Sequence, residues 1–227
     1  MSNKMINKIK SEIAKIEENR HSTSNKAKLD MVDFFGEDYL DKKILEIGTA
    51  FGHTTRILSF LFKEVHTIDN VRENVERAYK FNKDRDNIEY YEADVYDCKW
   101  PDEKFDVVFI DCVHAYDHVI KDIENSFKVL KPNGLIMFDD YGAPEDDMIG
   151  IPVMLAGQRS NGTPIEQLCT MEETTHTAYF SGRGRRITDP NDKKYTLVKE
   201  AVDEYIDRGK LKIIYEIGYK EGNLQGP

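Results

Sequence analysis

The sequence predicts an α/β fold, a doubly wound, mostly parallel sheet with helices on both faces. From Lys42 onward, short β-branched runs alternate with helix-length amphipathic runs, the pattern of a sheet whose two faces are both covered. The first run, ILEI at 44–47, is nearly all apolar, as befits a strand buried on both faces. It breaks at once into a turn holding Gly48 and Gly52, and His53, Thr54 and Thr55 then open a helix.

The elements follow in order. Residues 3–17 predict an amphipathic helix, with Met5, Ile6, Ile9, Ile13 and Ile16 on one stripe. That stripe suits packing on the domain or on a partner subunit, a route to a homo-oligomer. It lacks the aromatics and the basic face of a membrane-surface helix. A second helix spans 25–35, with Ser24 as its cap, so 1–36 form an N-terminal helical segment. Strands are expected at 43–47, 64–68, 88–93, 105–110 and 134–138, and helices at 53–62, 71–81 and 116–130. Lys131-Pro-Asn-Gly134 has the turn chemistry to end the last of these helices. Residues 141–193 break the alternation and are rich in Gly, Pro, Thr and charge. So long a connection is usually functional or disordered, and its place suggests a substrate lid. Its basic stretch Gly182-Arg-Gly-Arg-Arg186 is either a solvated loop or a grip for an anionic substrate. A helix from about 196 to Gly209 and a strand at 211–217 close the chain.

Composition narrows the class. The 227 residues are 40% hydrophobic and 33% charged, as in a single soluble domain able to bury a sizeable core. No apolar run reaches the roughly 18 residues that a membrane span needs, and the charged N-terminus is no secretory signal. Cys98, Cys112 and Cys169 show neither disulfide nor metal spacing, which points to the cytoplasm. A net charge of −10 argues against general affinity for nucleic acid.

The strand–loop–helix at 44–55 is the leading candidate for a cofactor site, because glycines admit close backbone approach and a helix N-terminus favours an anionic group. A dinucleotide fingerprint, G-x-G-x-x-G, fails at Ala50 and His53. The spacing is E-x-G-x-x-x-G, from Glu46 through Gly48, Thr49, Ala50 and Phe51 to Gly52. Asp69, at the end of the second strand and followed by Asn70, is placed to accept from ribose hydroxyls or to cap the next helix. Asp94 and Val95 follow the third strand, where Asp94 is either a ligand acceptor or a turn acid. His53 shapes the loop or packs there, and His118 reads as a solvent-exposed helix residue.

Two further strand ends carry acids. FDVVFID ends at Asp111 and continues through Cys112 to His114, while GLIMFDD ends in Asp139 and Asp140. Ligands of open α/β sheets bind beyond the carboxyl ends of the strands. Three carboxylates converging there repel unless a hard divalent cation such as Mg²⁺ neutralises them. The bland reading makes one or two of them caps or solvated acids.

The motif E-x-G-x-x-x-G resembles motif I of the class I S-adenosylmethionine-dependent methyltransferases, a Rossmann-like fold. The stretches FIDCVHAY and KPNGLIMFDDY resemble the metal-dependent O-methyltransferases among them, both the catechol type and the bacterial family acting on macrolide sugars, rhamnosyl groups and aminocoumarins. The helix segment AVDEY at 201–205 is similar to the bacterial family. The resemblance covers about 24–141 and 196–217 and leaves out the insertion. It implies S-adenosylmethionine as methyl donor, held at Glu46, Gly48, Thr49, Ala50, Phe51, Gly52, Thr54, Asp69, Asn70, Asp94, Val95, Asp111 and Cys112. It implies Mg²⁺ or another divalent cation at Asp111, Asp139 and Asp140, and a general base at His114 beside Asp111. The acceptor is then a small-molecule hydroxyl. Rivals are a metal-independent methyltransferase acting on nitrogen or carboxylate, and a non-catalytic cofactor-binding or assembly protein. A nicotinamide oxidoreductase ranks below both.

Overall fold

In a computed structural model, the structure describes residues 3–16, 23–100, 104–113, 116–139, 198–212 and 214. Among these, β1 (Lys43–Ile47), β2 (Glu64–Asp69), β3 (Ile88–Glu92), β4 (Phe105–Ile110) and β5 (Leu130–Phe138) form one sheet in the order β3-β2-β1-β4-β5. β1 runs parallel to both β2 and β4, and β2 runs parallel to β3. The order reverses between β1 and β4, the switch point where such sheets receive ligands.

β1 and β4 form the centre because both faces of each are apolar: Ile44, Leu45, Ile47, Val107, Val108, Phe109 and Ile110 are all buried. Helix α1 (Asn3–Ile13), α2 (Asn25–Phe35), α3 (His53–Leu61) and α4 (Arg72–Phe81) pack around them. The stripe on α1 is used within the chain: Ile9 and Ile13 are buried, and α1 contacts α2 and α3. α1 stops at Ile13, short of the expected 17, and closes in turns through Ile16. Ser24 caps α2 as expected, its hydroxyl accepting from the Ala27 N–H at 3.0 Å.

The boundary between α5 (Tyr116–Val129) and β5 corrects the sequence reading. Lys131-Pro-Asn-Gly134 was expected to separate helix from strand, yet β5 begins at Leu130 and Asn133 takes φ +65° within it. Pairing with the start of β4 decides this. The Lys104 N–H donates to Val129 O at 2.8 Å, and Lys131 Nζ meets Asp106 Oδ2 at 2.9 Å.

The chain divides into two compact units, 1–112 with 124–137, and 113–123 with 138–227. In the second, Tyr116, Val119 and Ile123 of α5 bury against Val198, Ala201, Val202 and Tyr205 of α6 (Val198–Asp207). Helix α6 ends near Gly209, whose φ is +66°. The expected lid at 141–193 and most of the strand at 211–217 lie outside the described residues. Among the described residues no helix is long and apolar enough to cross a membrane.

Candidate functional site

The loop after β1 is pressed onto the end of β4. The Asp111 N–H donates to Ile47 O at 2.9 Å, and the Gly48 N–H donates to Ile68 O at 2.9 Å. Gly48 has φ +104°, and a Cβ there would sit 1.9 Å from the Asp111 carbonyl oxygen. Gly52 has φ +75°, and a Cβ there would meet Ala78 of α4 at 2.6 Å. Both glycines are therefore needed for backbone shape and for space.

Ala50 also adopts a positive φ, +43°, with a Cβ to accommodate. That conformation costs an L-residue roughly 1–2 kcal/mol, and glycine gives back about 0.4–1 kcal/mol through unfolded-chain entropy. Ala50→Gly should therefore be neutral or stabilising by up to about 1 kcal/mol in urea unfolding. A loss larger than that would show that the Ala50 methyl packs.

Asp69 is committed on both oxygens. Its Oδ2 accepts from Ala50 N–H at 3.0 Å, its Oδ1 from Val71 N–H at 2.8 Å, and Asn74 Nδ2 reaches both, at 3.1 and 3.3 Å. One side chain thus fixes the loop after β1 and the start of α4, and remains half-buried. Asn70 beside it is exposed.

Glu46 is enclosed, 1% exposed. Its Oε2 accepts from Thr55 Oγ1 at 2.5 Å and from Thr67 Oγ1 at 2.6 Å, and Thr67 also pairs with Thr49 Oγ1 at 2.7 Å. Burial raises its pKa to about 8; the two hydroxyls oppose the rise, and the charges of Asp111 and Asp69 add to it. Glu46 therefore braces β1, β2 and α3 from within.

The remaining candidates fall as follows. Phe51 is half-buried, with the Arg77 guanidinium 4.4 Å from its ring centre. Thr54 is buried, and its hydroxyl donates to Thr23 Oγ1 at 3.1 Å. His53 packs between aromatic rings, 4.9 Å from Phe81 and 6.0 Å from Phe51. Asp94 is exposed and closes its own turn by accepting from Tyr96 N–H at 2.9 Å. Val95 and Cys112 are half-buried. His118, expected in solvent, is half-buried on α5, because it shares a helix with the buried Val119 and Asp122.

Asp111 Oδ2 accepts from Thr23 Oγ1 at 2.9 Å. His114 and Asp140 lie outside the described residues, and Asp139 is half-buried in the second unit. Among the described residues, no group of three or more His, Cys, Asp or Glu could hold a metal ion.

Sequence reasoning passed over Thr23 and Lys28. Lys28 is fully buried and donates to the Thr23 carbonyl. Its spacing held the signal: Lys28, Met31, Val32 and Phe35 are the buried residues of α2, at the i, i+3, i+4, i+7 positions of an apolar stripe.

Residues 45–141 match the model of a methyltransferase-domain family. The chain is 28% identical to an uncharacterised methyltransferase, YcgJ, of Bacillus subtilis over 112 residues, 48% of this chain and 44% of that protein. It is 55% identical to a protein-L-isoaspartate O-methyltransferase of Dictyoglomus turgidum over 40 residues, 18% of each. Among solved structures it is similar to the tRNA (m1A58) methyltransferase TrmI of Aquifex aeolicus, at 22% identity and TM-score 0.49, over 57% of this chain and 52% of that one. The chain spans less than two thirds of the length of each of these proteins. The matched stretch, 45–141, takes in the glycine loop after β1 and the switch point between β1 and β4, so this part of the chain is similar to a methyltransferase domain.

Proposed function

We propose that the protein transfers the methyl group of S-adenosylmethionine to a hydroxyl of a small molecule, a sugar or natural product, with help from a divalent cation. The observation that carries the reading is the fit at the switch point. Gly48 leaves no room for a side chain against Asp111, so the loop and the end of β4 share one wall. Asp69 holds the other side of that loop in shape. The residues fit a nucleoside-bearing cofactor: a bare backbone loop, a helix N-terminus and an acid after β2.

The reaction forms a bond from the acceptor oxygen to the methyl carbon and breaks the carbon–sulfur bond, releasing S-adenosylhomocysteine and a proton. In this reading His114 takes the proton. Asp111, Asp139 and Asp140 would hold the cation, which when bound would lower the pKa of an acceptor hydroxyl. The rigid loop contributes by positioning the reacting atoms in line. The acceptor is a small molecule and not nucleic acid, in keeping with the charge of −10.

The test is a methyl-transfer assay with S-adenosylmethionine over sugar and natural-product hydroxyl acceptors, with and without EDTA. Turnover should vanish on chelation and return with Mg²⁺. His114→Ala should lower it by about 10²–10⁴-fold while sparing cofactor affinity. Full activity in EDTA would favour a metal-independent enzyme whose carboxylates bind substrate directly. A methylated amine or carboxylate as product would sink the hydroxyl assignment.

A further inference from the structure

Lys28 is 0% exposed, on a helix that otherwise buries Met31, Val32 and Phe35. Taking an ammonium out of water is costly unless its charge is used. It donates to the carbonyl of Thr23, itself 3% exposed. Thr23 Oγ1 in turn donates to Asp111 Oδ2 at 2.9 Å and accepts from Thr54 Oγ1 at 3.1 Å, in the first turn of α3. The charge of Lys28 is felt at the next residue too: burial first, and then Lys28, push the His53 imidazole below its usual pKa. All of these residues belong to the first unit. The Lys28 ammonium therefore stands behind Thr23, beside the N-terminus of α3.

The charges facing that loop make this significant. Asp69 and Asp111 flank it closely enough to act on Glu46 between them. Arg77 stacks on Phe51 from the exposed side, where solvent screens it. Helix α3 has no side-chain cap, since Gly52 holds that position. Among the described residues, an anionic group arriving at the loop would otherwise meet the carboxylates of Asp69 and Asp111 and the dipole of α3.

We propose that Lys28 is a specificity-determining residue, selecting a cofactor with a free carboxylate at its amino-acid end and acting by charge across Thr23 rather than by contact. The proposal rests on the reading that the loop binds S-adenosylmethionine. Coulomb interaction over several ångströms at an effective dielectric near 20 is worth about a tenfold preference or more. The carboxylate gains it, and a ligand without one does not.

The experiment is calorimetry on the full chain with S-adenosylhomocysteine and its decarboxylated analogue, for the natural protein, Lys28→Met and Lys28→Arg. The natural protein should bind the carboxylate-bearing ligand about tenfold more tightly or better. Lys28→Met should erase most of that preference by weakening only that ligand, and Lys28→Arg should keep most of it. Equal weakening of both ligands by Lys28→Met would mean a purely structural lysine and overturn the proposal. Should Lys28→Met fail to fold, equal affinity of the natural protein for the two ligands would also overturn it. Binding of neither ligand to the natural protein would refute the cofactor reading itself, a distinct result.

Discussion

Gly48→Ala should abolish cofactor binding and cost the fold about 2–5 kcal/mol, the sum of overpacking and left-handed strain. The added methyl would lie 1.9 Å from Asp111 O, 2.6 Å from Asp111 C and 3.2 Å from Cys112 Cα, at φ +104°. These are backbone atoms, so no side chain can swing aside. Relief requires β1 and β4 to part where the Asp111 N–H reaches Ile47 O. Urea unfolding with calorimetry of S-adenosylhomocysteine checks both effects. An unchanged midpoint would mean that the two strand ends do not touch as described.

Glu46 should make stability fall as pH rises. Its folded pKa, about 8, lies above the ordinary 4.5. The folded chain therefore holds the proton where the unfolded chain has lost it. Stability is full below about 4.5, declines through neutrality and levels off above about 8. Once ionised, the buried carboxylate costs about 5 kcal/mol by that linkage. Glu46→Gln keeps the shape and an oxygen for Thr55 and Thr67, but cannot ionise. The difference in unfolding free energy between the natural protein and this variant should move by several kcal/mol from pH 5 to 9, in favour of Gln at high pH. A flat difference would show that Glu46 stays charged in the folded chain throughout.

The sheet was legible in the sequence because its central strands are buried on both faces and read as unbroken apolar runs. The loop was legible because the glycines interrupt such a run at Gly48. The start of β5 was not, since Pro132 and Gly134 signal a turn locally while pairing with β4 draws Leu130 into the sheet. The bracing of Glu46 was hidden for a related reason. Thr55 and Thr67 read as ordinary helix and strand residues, and their hydroxyls acquire a role only when β2 and α3 meet β1. Lys28 was not legible as a core residue because lysines ordinarily face solvent, although its spacing put it on the apolar stripe. Glu46 itself was expected to meet the cofactor, yet it faces inward. The sequence marks which residues matter near the loop more clearly than it marks what each one touches.

The hydroxyl chain inside the loop also has a direction. Thr67 has one proton to give, and it goes to Glu46 Oε2. Once Glu46 is ionised and can only accept, the 2.7 Å contact between Thr67 and Thr49 is filled by the proton of Thr49. Thr49 is left with lone pairs only. Any ligand group that reaches its oxygen has to bring a hydrogen of its own, as an ammonium does and a carboxylate cannot. A buried acid two residues upstream thus sets the polarity of the loop it supports.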